Sequence, residues 1–285
     1  MTRPSLKSAL ENGDFICAPG VQDMITALLC NKVGFDFVYA SGYWITASAH
    51  GLPDAGIATY SQMLERISTL VSNSTSGVIA DADTGYGGLL NVHHTVKGYE
   101  KAGVVAVQME DQVFPKKCGH TPNKRVIPLE EMVKKVKVAC DSRENPETLI
   151  IARTDAKDPE GYEAAIKRGQ AYREAGADVV FVEALHTEAE MRDACARIDA
   201  PMMANMADGG KTPILSADEL KDIGYSIAIF PAMTSLAATI AIEAALQNLK
   251  TTGTSLAPDV PLYSFADFNE LIGFPDVWDF EKKWA

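Results

Sequence analysis

Nowhere does the chain hold an apolar run approaching the roughly 20 residues that a membrane-spanning helix needs. Its longest runs, such as Val104–Val107 and Val179–Val182, are strand-sized, so no membrane span is expected. The opening residues Met1-Thr2-Arg3-Pro4-Ser5 lead into no apolar signal core and no small-residue cleavage site, and a cytoplasmic location is the expectation. Positive charge is in deficit: 26 Lys and Arg stand against 38 Asp and Glu, a net charge of −12. That balance disfavours nucleic acid as a partner and leaves a small anionic ligand open, because such a ligand is held by local charges. Paired cysteines are missing too. Cys17, Cys30, Cys118, Cys140 and Cys195 form an odd set without a C-x-x-C spacing, which argues against a disulfide framework or a zinc knuckle. Four of them are expected to pack as small apolar residues. His50, His93, His94 and His186 show no metal-ligand spacing and are assigned to helix or loop surfaces.

What is present is an ordinary globular balance, 47% hydrophobic and 22% charged, over 285 residues. An α/β barrel commonly spends about 250 residues on one domain, so this length does not demand two. Short β-rich runs alternate with helical stretches eight times. The strands are expected at Phe15–Ala18, Phe37–Ser41, Gly77–Asp81, Val104–Glu110, Leu149–Arg153, Val179–Glu183, Met202–Asn205 and Ser226–Phe230. Helices are expected over 23–33, 61–72, 92–102, 130–140, 160–175, 187–197, 216–223 and 234–249. Runs such as Val179-Val180-Phe181-Val182 read as parallel strands buried on both faces. Gly103 and Gly176 follow helices where a left-handed residue costs least, and Ser216 with Glu219 has the spacing of a capping box. The expectation is a (β/α)8 TIM barrel over residues 1–250, then a linker and a C-terminal helical extension over 251–285. Phe265, Phe268, Leu271, Ile272, Phe274, Trp278, Phe280 and Trp284 make that tail too apolar to stand in water, so it must dock on its own barrel or a neighbour's.

The polar residues that stand out fall where strands finish: Ser41, Asp81, Asp83, Glu110, Arg153, Glu183 and Asn205. In a barrel these ends converge on one mouth. Asp81-Ala82-Asp83 places two carboxylates one residue apart, which suits Mg²⁺ keeping several waters; the bland reading is a solvated acidic turn. Glu110 could add a ligand from the neighbouring strand. Lys116-Lys117-Cys118-Gly119-His120 sets a thiol beside cations that would lower its pKa, or is an exposed loop with an incidental cysteine. Arg153 closes an apolar strand and needs a carboxylate there, from Glu183, from a substrate, or from both. The stretch Asn205–Pro213, with Thr212 as a donor, reads as an anion-handling turn or as a plain loop.

Taken together, these residues resemble the isocitrate lyase and phosphoenolpyruvate mutase superfamily. The likeness runs through Tyr39-Ala40-Ser41-Gly42-Tyr43, Gly51-Leu52-Pro53-Asp54, Asp81–Gly87, Glu110-Asp111-Gln112, Lys116–His120, Ala152–Ala156, Val182-Glu183-Ala184 and Asn205-Met206. The resemblance implies a lyase in which Cys118, on a mobile loop, is the general acid. Asp81, Asp83 and Glu110 would hold Mg²⁺ or Mn²⁺, with Asp54 behind them. Ser41, Gly42, Tyr43, Gly119, His120, Arg153, Glu183, Asn205, Thr212 and Pro231 would bind a di- or tricarboxylate, and Tyr43 would stand near the departing hydroxyl proton. Leu236 falls where the 2-methylisocitrate lyases carry an arginine for a third carboxylate, and the stretches Asn205–Pro213 and Phe268-Asn269-Glu270-Leu271-Ile272 are more similar to the 2,3-dimethylmalate lyase and petal death protein group, which implies a 2-alkylmalate such as 2,3-dimethylmalate as substrate. Asp208 departs from the glutamate usual there. Oxaloacetate hydrolysis or decarboxylation and 2-methylisocitrate cleavage are the alternatives on the same scaffold. Phosphonopyruvate chemistry fits the thiol poorly, and a non-catalytic carboxylate-binding protein is the option of a different class. A homotetramer that swaps C-terminal helices is also implied.

Overall fold

The structure is a computed structural model that describes residues 3–257 and 260–285. Met1 and Thr2 of the opening stretch, and Pro258 and Asp259 of the expected linker 250–261, lie outside the described residues. Eight strands, β1 (Ile16–Val21), β2 (Phe37–Ala40), β3 (Gly77–Asp81), β4 (Ala106–Glu110), β5 (Leu149–Thr154), β6 (Val179–Val182), β7 (Met202–Asn205) and β8 (Ile227–Phe230), form a closed parallel barrel. β1 closes it by pairing with β8, Ile16 against Ile227 and Pro19 against Phe230. The helices in chain order are α1 (Leu6–Glu11), α2 (Met24–Val33), α3 (Gly42–His50), α4 (Tyr60–Asn73), α5 (Leu89–Ala102), α6 (Leu129–Ser142), α7 (Lys157–Glu160), α8 (Tyr162–Glu174), α9 (Glu188–Arg197), α10 (Ala217–Ile223), α11 (Met233–Thr252), α12 (Phe265–Leu271) and α13 (Phe274–Trp284).

Side chains alternate across each strand, which divides the core into two layers. Phe37, Tyr39, Ile79, Ile151, Phe181, Met203, Ile227 and Ile229 fill the barrel, and Leu6 of α1 joins them. Val38, Ala40, Val78 and Ala80 face the other way and pack under the helices with Met63, Ile67 and Val96. The caps argued from sequence are present: Gly103 is left-handed after α5, and Ser216 and Glu219 satisfy each other's backbone N–H groups at α10.

Three differences from the sequence reading have physical causes. β1 runs on to Val21 through Pro19 and Gly20, which look like breakers. Gly20 is needed because a Cβ there would strike the backbone of Pro231 as the chain leaves β8. The second difference is α3, which directly follows β2 and was read only as a motif. The third concerns α11, expected as the eighth cover of the barrel: over its 20 residues only Ser235 is buried. α12 and α13 bury nothing. Cys17, on β1, is accordingly exposed and does not pack as a small core residue. No helix among the described residues is long and apolar enough to cross a membrane.

Candidate active site

The carboxyl ends of the strands open into a cavity of about 300 Å³, and twelve of the residues singled out from sequence line it: Ser41, Tyr43, Asp54, Asp81, Glu110, Cys118, Gly119, His120, Arg153, Glu183, Asn205 and Pro231. Gly42 and Asp83 lie immediately behind that lining. The Gly42 N–H donates to Asp81 Oδ2 at 3.0 Å, the Asp83 N–H to Asp81 Oδ1 at 3.0 Å, and a Cβ on Gly42 would sit 2.9 Å from Asp81 Oδ2 and 3.1 Å from Asp83 Oδ1. Gly42 therefore orients an aspartate, and its N–H is not left over for a ligand. Thr212, expected as an anion donor, is buried outside the cavity and does not reach it.

Ser41 caps α3 without spending its side chain on the helix. Its hydroxyl and the unpaired N–H groups of the first turn make a natural seat for a carboxylate, helped by the helix dipole. From below, Tyr39 donates to Gln108 Oε1, and the Gln108 amide reaches Asp81 Oδ1 at a long 3.5 Å. Asp83 holds a left-handed backbone, φ 49°, that a non-glycine residue rarely adopts without a local reason.

Charge in the site is unevenly balanced. Lys116, which sequence reasoning treated only as a neighbour of the thiol, is buried, its ammonium against Asp54 and 2.8 Å from Asp83 Oδ1. Even so, burial pushes the Asp83 carboxyl up to about 6, against the pull of Lys116. Glu110 is raised well above the usual range, again by burial, and its Oε1 has no hydrogen-bond partner. Among the described residues no three His, Cys, Asp or Glu side chains converge tightly enough to enclose a bare ion. The set nevertheless fits a hydrated Mg²⁺, which keeps several waters and reaches its carboxylates partly through them. Two buried carboxylates short of positive charge are what such an ion would relieve.

Arg153 does meet Glu183, Nη2 to Oε2 at 3.1 Å, but its main partner was not anticipated. Asp155 accepts from Nε at 2.9 Å and from Nη2 at 3.0 Å, while Glu110 lies 3.5 Å from Nε. Among the described residues Nη1 has no acceptor. Asp111, next to Glu110 in the chain, is fully buried and structural: it accepts from Thr154 at 2.7 Å, Tyr172 at 2.7 Å and the Asp155 N–H at 2.8 Å.

Cys118 sits on the loop joining β4 to α6, whose stem is closed by Gln112 bridging to Val126 and by the Gln112 side chain bonding both backbone groups of Lys117. The sequence places cations beside this thiol to lower its pKa, and the structure shows the opposite shift. Burial pushes it above its ordinary 9.0, opposed by the His120 backbone N–H. The thiol is thus protonated at neutral pH. Gly119 lies against Arg153 and Glu183 so closely that a Cβ would collide with the guanidinium. His120 stands 3.3 Å from Asn205 Nδ2 and 3.7 Å from Glu183 Oε1, and the Lys211 N–H reaches its Nδ1 at 3.3 Å. Trp44, Ala207, Ile229, Pro231, Ala232 and Leu236 give the cavity an apolar side.

A (β/α)8 barrel whose mouth gathers carboxylates, one buried arginine and a loop-borne thiol defines an enzyme class that handles small carboxylates at strand ends. Comparison with known proteins gives the class its family. The profile of the phosphoenolpyruvate phosphomutase family matches residues 6–250, and the chain belongs to that family, within the isocitrate lyase and phosphoenolpyruvate mutase superfamily. It is 41% identical to 2,3-dimethylmalate lyase of Eubacterium barkeri, over 100% of this chain and 98% of that one. It is 42% identical to 2-methylisocitrate lyase of Aeropyrum pernix, over 99% and 91%. A solved structure of oxaloacetate acetylhydrolase in complex with the inhibitor 3,3-difluorooxalacetate superimposes with a TM-score of 0.92 at 32% identity, covering 98% of this chain and 95% of that one. One of phosphonopyruvate hydrolase with oxalate and Mg²⁺ gives 0.88 at 29%, covering 98% of each chain.

Proposed function

We propose that the protein is a Mg²⁺-dependent carbon–carbon lyase that cleaves a 2-hydroxy-dicarboxylate of the 2-alkylmalate type, with 2,3-dimethylmalate as the representative, to pyruvate and a second carboxylic acid. One observation carries the reading: a protonated thiol, a guanidinium with a free nitrogen and carboxylates short of positive charge share a single cavity. Identity alone does not choose between the 2,3-dimethylmalate and 2-methylisocitrate relatives. The cavity does supply a criterion, because Lys116 and Arg153 are its only lysine or arginine linings among the described residues and Lys116 is spent on Asp54 and Asp83. A third carboxylate would lack a counter-ion, whereas an alkyl branch suits the side formed by Trp44, Ala232 and Leu236.

Asp81, Asp83 and Glu110 would hold Mg²⁺, mainly through water. Bound there, the ion would supply Lewis-acid stabilisation to oxygen atoms of the substrate. Ser41 and the first turn of α3 hold the C1 carboxylate, and Tyr43 stands beside the hydroxyl proton as it passes to cavity water, from which the Cys118 thiolate is reprotonated at the end of the cycle. The C2–C3 electron pair passes to the departing fragment as its enediolate while C2 becomes the pyruvate carbonyl. Arg153 Nη1, Asn205 and His120 meet the charge where it develops, and Cys118 returns one proton to C3. His120 replaces Thr212 in that set because it reaches the cavity. The assembly proposed is a homotetramer that swaps its C-terminal helices: α11 presents Ile240, Ile242, Leu246 and Leu249 to solvent, and β1 leaves Cys17 uncovered. A cytoplasmic site of action belongs to the same reading, as five free thiols suit a reducing compartment.

Likeness to oxaloacetate acetylhydrolase favours a second reading, hydrolysis of oxaloacetate to oxalate and acetate. Both are tested by incubating the protein with 2,3-dimethylmalate, citramalate, 2-methylisocitrate and oxaloacetate, with Mg²⁺ and after EDTA treatment, and assaying pyruvate and oxalate. Metal-dependent pyruvate release from an alkylmalate is the expected result. Oxalate from oxaloacetate selects the second reading, and tight carboxylate binding without turnover would make the protein a binder instead of an enzyme.

A further inference from the structure

Lys124 lies six residues beyond Cys118 on the same loop, and its ammonium is almost wholly buried. It donates to the Gly119 carbonyl, to Asp155 Oδ1 at 3.1 Å, and pairs with Asp158 Oδ2 at 3.1 Å. Asp155 Oδ1 is the same oxygen that receives Arg153 Nη2. A lysine from the loop and the arginine of β5 therefore share one carboxylate. The arrangement continues outward: Asp158 also takes Lys211 Nζ at 2.7 Å, and the Lys211 backbone N–H returns to His120 of the loop.

The charge count around Arg153 gives this contact a purpose. One guanidinium faces Asp155, Glu183 and Glu110, so its charge is shared among carboxyl groups of the protein before any substrate anion arrives. A second cation on Asp155 changes that balance. The Asp155 carboxyl, which burial alone would raise, is held down to about 2 by Arg153 and Lys124 together.

We propose that Lys124 is a positioning residue: by taking a share of Asp155 it leaves Arg153 Nη1 able to grip a substrate carboxylate. Because Lys124 arrives on the segment that carries Cys118, grip on the anion and delivery of the thiol occur together, when the loop is seated. This rests on the proposed role of Arg153 toward substrate.

The test uses the full chain with Mg²⁺ and two readouts, oxalate affinity by titration calorimetry and steady-state kinetics on whichever substrate of the panel the wild type cleaves. Lys124→Met and Lys124→Gln should each weaken oxalate binding and raise KM by about ten-fold, with a smaller fall in kcat, and Lys124→Arg should stay within about three-fold of wild type. In an Asp155→Asn background the Lys124→Gln penalty should shrink below about two-fold, since the shared carboxylate charge is gone. Lys124→Gln keeps a hydrogen-bond donor, so it serves if the methionine variant does not fold. Wild-type oxalate affinity and KM in a folded Lys124→Gln protein overturn the proposal, as does an undiminished penalty in the Asp155→Asn background. A wild type that cleaves nothing in the panel refutes the lyase reading, while the oxalate titration still decides the part played by Lys124. If the wild type binds no oxalate, the KM ratio of the folded Lys124→Gln protein decides, and a ratio within about two-fold of wild type overturns the proposal.

Discussion

Replacing Cys118 by serine changes one atom at the cavity wall and is the sharpest probe of the chemistry. A hydroxyl keeps the hydrogen-bonding capacity of the side chain and little of its acidity. Loss of a general acid costs about 10²–10⁴ in rate, or about 3–5 kcal/mol of barrier. The structure selects the lower half of that range, about 10²–10³, because Arg153, His120 and the α3 N-terminus remain to bind and orient the substrate. Substrate affinity should hardly move, so kcat falls while KM stays within about two-fold. Since burial raises the thiol above 9.0, wild-type kcat should keep its full value through neutral pH and fall only as pH climbs through that raised pKa, as the proton is lost. The assay is pyruvate release followed from pH 6 to 10, with the second product recovered from D₂O and checked for one deuterium at the carbon that was C3. Serine-variant turnover within three-fold of wild type, or a wild-type rate already declining between pH 6 and 8, would remove Cys118 from the acid role.

Gly42→Ala pushes a methyl group to 2.9 Å and 3.1 Å from the Asp81 and Asp83 carboxylates, and should weaken Mg²⁺ affinity by about 10–100-fold with the fold intact, measured by calorimetry and circular dichroism. Gly119→Ala collides with Arg153, so its loop cannot seat as observed; trypsin should cut it faster than wild type and kcat/KM should drop at least about 100-fold. The Asp155 carboxyl is lowered to about 2 in the folded state against 3.8 when unperturbed. Its contribution, about 2 kcal/mol, is therefore complete above pH 4 and is lost as pH falls through 2, so urea unfolding should show Asp155→Asn destabilised at pH 7 and nearly equal to wild type at pH 2. Deleting residues 262–285 removes α12 and α13 and should shift the protein to a smaller oligomer by light scattering while leaving the barrel's circular dichroism unchanged.

The barrel was readable because its eight strands are buried on both faces and so appear as unbroken apolar runs, Val179–Val182 being the clearest. Polar residues closing those runs are anomalies wherever they fall, which is why Asp81, Glu110, Arg153 and Glu183 could be named and why they meet in one cavity. What escaped was whatever depends on a contact between loops. Lys116 and Lys124 look alike in sequence, two lysines near a thiol, yet each is buried on different carboxylates. α3 escaped because Tyr43, Trp44, Ile45 and Thr46 favour no helix; it forms where Ser41 caps a segment packed through Ile45 and Thr46. Thr212 was misplaced since spacing along a loop gives no direction. α11 has the periodicity of a barrel cover, yet within this chain only Ser235 of its 20 residues is buried, and a periodic pattern does not state how much of a helix its own barrel buries.

The inner layer of the barrel ends in a polar floor, where Tyr39 and Gln108 stand under Asp81. Asp81, a proposed metal ligand, is thus anchored at the end of a barrel strand and on that floor, while Trp44, Asp208 and Leu236 belong to segments outside the strands. Diversification can act on these two parts separately: substitutions at the rim would change which branch on the substrate is tolerated, and the bond-breaking apparatus would be inherited intact.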